Sequence, residues 1–268
     1  MNMKRFKTLI YTYYRASGRH DLPWRKTRDP YKILVSESML QQTQVPRVLK
    51  KYNKFLTSFP TAKALAQAPT AQVLTAWQGL GYNRRALNLK RACEIVVNTY
   101  DGIFPKTAEE LEALPGIGQS TRGAIMAFAY NIPTVFIETN IRSIFIHHFF
   151  DGVEKIHDKE ILPLIEKTLD RAHPRDWYYA LMDYGVHLKQ TLPNPSRNSI
   201  HHVKQSAFKG SNREMRSKIL AYILKENRTE NEIIQHIGMP DRAIKKNIQA
   251  LTSEGFIVRK NGTYSIAH

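Results

Sequence analysis

From the N-terminus to about Leu192, apolar residues return every three to four positions, in runs such as "YKILVSESMLQQTQVPRVLKKYNKFLTSF", "TAKALAQA", "AQVLTAWQGLG", "RALNLKRACEIVVNTY" and "TAEELEAL". That period gives each run one apolar stripe, and Pro, Gly or a capping Thr bounds each of them, so residues 1–191 predict a mainly α-helical domain. Residues 192–210, "LPNPSRNSIHHVKQSAFKG", lose the period and are rich in Pro, Ser, Asn and basic residues. They read as a basic linker or long loop, within which "PNPSRNSIHHVKQ" is either held by ordinary packing or mobile, and expected to be mobile when no polyanionic partner is bound.

The period restarts in residues 211–268. "EMRSKILAYILKEN" and "RTENEIIQHIG" read as helices, the second with Thr229 and Glu232 at capping-box spacing. A third, "PDRAIKKNIQALTSEG", puts Ile244, Ile248 and Leu251 on one face, and "FIVRKNGTYSI" alternates through an Asn-Gly turn as a hairpin. Three helices followed by a hairpin look like a small winged-helix domain. A packing or protein-contact module is the alternative; Lys245, Lys246, Arg259 and Lys260, on the third helix and the wing, favour contact with phosphates.

With 40 Lys+Arg against 23 Asp+Glu, the formal net charge is +17, which points to a polyanionic partner, nucleic acid before an anionic membrane surface. The excess is spread along the chain: 27 against 17 in residues 1–191 and 13 against 6 from Leu192 onward. Cys93 is the sole cysteine. An intrachain disulfide and a cysteine-ligated metal cluster are thereby excluded, and in "LKRACEIVV" an amphipathic helix would bury it. The N-terminal "MNMKRFKTLIYTYYR" is too polar for a signal peptide's core, and no run approaches roughly 18 apolar residues, so the expectation is a soluble cytoplasmic protein, nucleoid-associated if bacterial, with no membrane partner.

"ALPGIGQST" joins the helix "TAEELEAL" to the helix "TRGAIMAFA". Gly116 and Gly118 allow a tight turn without Cβ atoms in a partner's way, and amides of Gly116, Gly118, Gln119 and Thr121 at the start of the second helix are candidates to hold a phosphate without reading sequence. Many helix pairs use such a turn for packing alone. About twenty residues on, "FIETN" places Glu138 next to Asn140.

"LPGIGQSTRGAI" resembles the helix-hairpin-helix of the DNA glycosylase superfamily that includes endonuclease III. "DLPWRKTRDPYKILVSESMLQQTQV" (21–45), "WQGLGYNRRALNL" (77–89), "FPKTAEELEALPGIGQSTRGAI" (104–125) and "WYYALMDYG" (177–185) are similar, in the same order, to its A/G-specific adenine glycosylase branch, the MutY family. The resemblance implies a two-lobed helical domain, a monomer, and duplex DNA with a mismatch or lesion as partner. It gives Glu37 in "SESML" the role of general acid that protonates a flipped purine. Gln41, Gln42 and Tyr82 match side chains that wedge into the duplex, Trp24 and Arg25 match a stretch lining the base pocket, and Asn140 matches a residue beside the catalytic carboxylate.

The chain departs from the family in four places. Glu138 stands where an aspartate is usual, and its extra methylene displaces the charge by about 1–1.5 Å, enough to cost on the order of a hundredfold in rate if the backbone does not yield. Ser120 stands where bifunctional relatives carry a Schiff-base lysine, which implies a monofunctional enzyme with water as nucleophile. The four cluster cysteines that usually follow "MDYG" are absent, so no cofactor or metal is expected, and His187, His201 and His202 read as surface histidines. The domain that checks for 8-oxoguanine is replaced by the winged-helix-like tail. Excision of adenine opposite guanine or 8-oxoguanine is the first expectation; a thymine or uracil mismatch glycosylase, or a lesion-binding protein without hydrolysis, are the alternatives.

Overall fold

The structure is a computed structural model and describes residues 1–205 and 207–267. Helices run in the order α1 (Met3–Ser17), α2 (Pro30–Leu40), α3 (Val45–Ser58), α4 (Ala62–Gln67), α5 (Thr70–Trp77), α6 (Arg84–Thr99), α7 (Ala108–Ala113), α8 (Gln119–Tyr130), α9 (Thr139–Phe149), α10 (Asp158–Thr168) and α11 (Pro174–Thr191). Then follow α12 (Asn212–Ile223), β1 (Arg228–Thr229), α13 (Glu230–Ile237), α14 (Asp241–Ser253), β2 (Ile257–Lys260) and β3 (Thr263–Ile266). The fold is mainly α, as the period implies. Among the described residues no helix is long and apolar enough to cross a membrane.

The helix starts follow local chemistry. Asn2, Thr61, Thr107 and Ser211 each accept a backbone N–H at the start of their helices, and Thr229 with Glu232 forms the reciprocal capping box. One long apolar run is broken where periodicity alone would continue it: α2 ends at Leu40 and α3 begins at Val45. Pro46, in the first turn of α3, removes a donor and disfavours helical backbone before it, and Gln42 adopts φ 54° in the gap.

Contacts divide the chain into two compact units, Met1–Glu37 with Phe104–Lys204, and Ser38–Ile103 with Gln205–His268. In the first unit Phe6 packs among Phe145, Phe149 and Trp177, and Phe128 stacks on Tyr179 at 4.1 Å between ring centres. Residues 194–200, expected to be mobile, are instead held. Pro195–Asn198 forms a 3₁₀ turn, Ser196 Oγ lies 3.0 Å from Ser143 Oγ on α9, and Ser199 bridges to Ile156. Two buried serines need partners, and α9 supplies one of them.

In the second unit Phe55, Phe59 and Trp77 form an edge-on aromatic core for α3 to α6. Cys93 is fully buried in α6, as its apolar setting implies, and burial pushes its thiol up to about 12. Residues 211–267 add α12 to α14 and an antiparallel sheet of order β1-β3-β2. Ile244, Ile248 and Leu251 are buried along α14, and Asn261 and Gly262 both take positive φ in the tight turn between β2 and β3. The two-residue β1 had no sequence signal: it is too short for alternation to register.

Candidate active site

Glu37 sits in the last turns of α2, on a helix whose neighbours Val35, Ser36, Ser38 and Met39 are buried. By accessible surface the residue is half-buried, yet protein surrounds its carboxyl closely. Burial first and the negative charge of Glu138 second, opposed by Arg25, together raise the Glu37 carboxyl to about 7. A carboxyl with that affinity for its proton is both present as an acid and able to release it near neutral pH.

Glu138 is the N-cap of α9. One carboxylate oxygen accepts the Ile141 N–H at 2.8 Å and the other accepts Asn140 Nδ2 at 3.0 Å. Shorter side chains usually fill that position; here the longer arm folds back onto the helix start, so the extra methylene is taken up by the cap. Asn140 Oδ1 is buried with no partner. Gly185 on α11 permits this arrangement, because a Cβ there would lie 2.6 Å from the Asn140 carbonyl oxygen and 2.7 Å from its Cβ. One turn further along α11, burial lowers the Lys189 ammonium while the charge of Glu138 favours it.

Arg25 and Trp24 lie in a 3₁₀ turn, Pro23–Arg25; Trp24 is buried and the Arg25 side chain is 5 % exposed. Both terminal nitrogens of Arg25 are taken by Asp183 at 2.7 Å, and its guanidinium lies 4.4 Å from the Tyr179 ring centre. Arg19 completes the cluster, donating from its backbone N–H at 2.8 Å and from Nε at 2.6 Å. The Asp183 side chain is 1 % exposed. Burial alone would raise its carboxyl, but the bonds and charges of Arg25 and Arg19 prevail and hold it below the usual range. What Arg25 gives Glu37 is therefore charge. The sequence signal for Asp183 was an acid inside the apolar run "ALMDYG", a setting in which an unpaired carboxylate would be costly.

In the hairpin between α7 and α8, Gly116 takes φ 80°, which glycine alone adopts readily. Gly118 is different. Its φ is −97° and a Cβ would meet nothing within 4 Å, so the protein itself does not require glycine there. No side chain caps α8, and Gln119 and Ser120 are exposed at its start. Thr121, in the same first turn, is buried.

In the second unit, Gln41 and Gln42 follow α2 and Tyr82 precedes α6, with Tyr82 at φ 48°. Left-handed backbone at two non-glycine residues costs of order 1 kcal/mol or more each and needs support. Arg85 supplies it. Its buried guanidinium donates to the carbonyls of Ser38 (2.8 Å), Met39 (2.9 Å), Gln41, Leu80 (3.1 Å) and Gly81 (2.9 Å) and to Thr43 Oγ1 (3.1 Å), so one cation joins the end of α2 to the turn before α6. Burial lowers it to about 10.

On the tail, Lys245, Lys246, Arg259 and Lys260 are all exposed; Lys245 pairs with Glu230 at 3.7 Å and Arg259 lies over Tyr264. An iron–sulfur cluster does not fit these residues: four thiolates are wanted, and the one cysteine is sealed inside α6.

Residues 35–169, half of the chain, match the HhH-GPD superfamily base excision DNA repair protein family. The chain belongs to this family. It is 38 % identical over 185 residues to the adenine DNA glycosylase of Buchnera aphidicola subsp. Baizongia pistaciae (strain Bp), covering 68 % of this chain and 52 % of that protein. With the adenine DNA glycosylase of Homo sapiens it shares 33 % over 204 residues, 72 % of this chain and 36 % of the other. The HhH-GPD chain thus spans about half the length of the first curated relatives it matches. Among solved structures, a thermostable thymine-DNA glycosylase is 29 % identical with TM-score 0.62, covering 68 % of this chain and 85 % of that one. A non-covalent endonuclease III–DNA complex, at 16 % identity and TM-score 0.57 over 68 % of this chain and 85 % of that one, shares the fold.

Proposed function

We propose that this HhH-GPD protein is a monofunctional DNA N-glycosylase that hydrolyses the bond between an adenine and its deoxyribose in mismatched duplex DNA. The observation that carries this reading is the acid pair: a Glu37 carboxyl raised to about 7 beside the negative Glu138. Glu37 gives its proton to a ring nitrogen of the extruded base, the C1′–N bond breaks, and its electron pair leaves with the base. Glu138, fixed by Ile141 and Asn140, faces the positive charge that develops on the sugar. Water then adds to C1′, and its proton passes to the Glu37 carboxylate. Ser120 offers no amine for a Schiff base. The relatives named adenine DNA glycosylase support adenine as the base.

The uncapped, exposed start of α8 binds a phosphate, and Gly118, whose lack of a side chain nothing inside the protein explains, keeps the approach open. Gln41, Gln42 and Tyr82 enter the duplex where the base has left. The order helix, strand, two helices and hairpin in residues 211–267 is read as a winged helix whose Lys245, Lys246, Arg259 and Lys260 meet phosphates. The protein acts as a cytoplasmic monomer. A thymine mismatch is the second substrate to test, because a thymine-DNA glycosylase is among the structural neighbours.

Single-turnover release of free base from duplexes carrying each mismatch tests the assignment. Glu37→Gln and Glu138→Gln are each expected to slow release by at least on the order of a hundredfold while duplex affinity is kept. Equal release by wild type and Glu138→Gln would sink it.

A further inference from the structure

Cations outnumber acids along the whole chain, but from Ser38 to Cys93 acids are missing altogether: this stretch holds nine Lys+Arg and no Asp or Glu. All nine belong to one compact unit, and the fold divides them by use. Arg85 donates to the carbonyls beneath its two turns, Lys90 to the Ala66 carbonyl and the Glu94 carboxylate, and Arg84 pairs with Glu254 at 2.6 Å. The tail is fastened here as well, since Arg213 donates to the Tyr82 hydroxyl at 2.6 Å and Arg216 shares the Glu254 carboxylate with Arg84. The carboxylate that the end of α14 brings to the region is thereby taken.

Four of the remaining cations share α3. Arg47, Lys50, Lys51 and Lys54 stand at i, i+3, i+4 and i+7, which puts them on one flank of the helix. Arg47, Lys50 and Lys54 are exposed, Lys51 is half-buried, and among the described residues none of the four side chains has a hydrogen bond or an ion pair. The buried stripe is Val48, Tyr52 and Phe55, and the other exposed flank holds Leu49, Asn53 and Thr57, without charge. A helix whose charges serve solubility alone has no reason to gather them on one flank, and like charges at these spacings destabilise it. An anion laid along the flank removes that repulsion.

The flank also has a length and a chemistry. From Arg47 to Lys54 the rise is about 10 Å at roughly 1.5 Å per residue, and phosphates of one duplex strand follow each other at about 3.4 Å along the axis, so the four cations reach about three phosphate steps. No apolar or aromatic side chain interrupts the row. A stable protein interface is anchored by buried aromatic side chains at its centre, whereas a phosphate backbone asks only for cations.

We propose that the Arg47–Lys54 flank of α3 is a DNA-binding surface in its own right, which holds the phosphates of one strand without reading sequence. It is distinct from the start of α8 and from the four cations of the tail, and it rests on duplex DNA as the partner under Proposed function, not on base release.

The test uses the full chain and a fully paired duplex of about 20 base pairs, with dissociation constants measured between about 50 and about 200 mM salt. A variant carrying Arg47→Gln, Lys50→Gln, Lys51→Gln and Lys54→Gln together is expected to bind on the order of a hundredfold more weakly at about 0.1 M salt, with a salt slope shallower by about 2–3.5, at roughly 0.9 per lost phosphate contact. Lys50→Gln and Lys54→Gln alone, both at exposed positions, should each remove about 0.9 from the slope. A variant with Lys50→Arg, Lys51→Arg and Lys54→Arg keeps the charge and should keep the slope, with affinity within about threefold of wild type. A Gln variant with the wild-type slope overturns the proposal. So does a polyglutamate that competes with the duplex on wild type and fails to bind the Gln variant while the duplex still binds, which would assign the flank to an acidic protein. A fully paired duplex offers no mismatched base, so the result is independent of catalysis: a shallower slope without release from any mismatch would end the glycosylase reading and keep the surface, and release with an unchanged slope would do the reverse.

Discussion

The proposed acid pair and the proposed wedge are built by opposite means. Glu37 and Glu138 are carried by helices, one in the body of α2 and one on the cap of α9, and their setting is fixed by backbone: the α9 amides, and the close approach of α11 at Gly185. Gln41, Gln42 and Tyr82 stand on irregular segments, Gln42 and Tyr82 with left-handed backbone, and one arginine holds both segments. Groups that move protons need an exact electrostatic setting, which rigid elements supply. Groups that enter a duplex must project from the surface, where loops alone reach, and the order a loop lacks comes from a buried cation beneath it.

That contrast can be broken most sharply at Arg85. Arg85→Ala leaves the carbonyls of Ser38, Met39, Gln41, Leu80 and Gly81 without their shared donor, and is expected to lower stability by about 3–5 kcal/mol in denaturant unfolding. A loss below about 1 kcal/mol would mean that the loops hold themselves. Arg85→Lys should recover part of the stability but little of the wedge order, read as weaker binding to an abasic-site duplex.

The acid side is sharpened by pH. The folded Glu37 carboxyl titrates near 7 against about 4.3 when unfolded, so the folded chain holds this proton more tightly. Its contribution to stability is complete below pH 4 and is lost as pH rises through 7. Glu37→Gln should therefore stabilise the protein at pH 8 by at most about 3 kcal/mol and have little effect at pH 4, checked by melting at both values. Release of base by wild type should fall as pH rises above 7. A Glu37→Gln gain equal at both pH values would show that relief of ionisation is not its cause.

The smallest of these effects is at Gly185. The alanine variant must move α9 and α11 apart by several tenths of an ångström, with an expected cost of about 1–3 kcal/mol. Base release should fall with it while duplex affinity does not, since the displaced group is the Glu138 cap. Unchanged release would separate the α9 start from the chemistry.

How far all this was legible differs between the same regions. The helices, the Thr229 capping box and the Asn261–Gly262 turn follow from local sequence, because a cap or a turn is decided within four residues. Glu37 and Glu138 were reached through the surrounding motifs, since an isolated glutamate on a helix has no mark of its own. Arg85, Asp183 and Arg213 were missed. Each owes its role to partners dozens of residues away: Arg85 to the end of α2, Asp183 to Arg19 and Arg25, Arg213 to Tyr82. The break after Leu40 was hidden for the opposite reason, because apolar spacing carries on across it while Pro46 and the left-handed Gln42 interrupt the backbone.

The threading of the two units sets an order of events on the ribosome. Ser38–Ile103 is synthesised early, but the residues with which it forms a unit begin only at Gln205. At roughly 5–20 residues per second, the intervening 104–204 segment takes on the order of 5–20 seconds to emerge. During that interval Phe104–Lys204 can close on the chain's first 37 residues, while the start of α6 waits for Glu254 and Tyr82 waits for Arg213. The unit that carries both glutamates is thus complete before Tyr82 acquires its last contacts, and a nascent chain arrested near residue 204 carries that unit whole while the other still lacks α12 to α14.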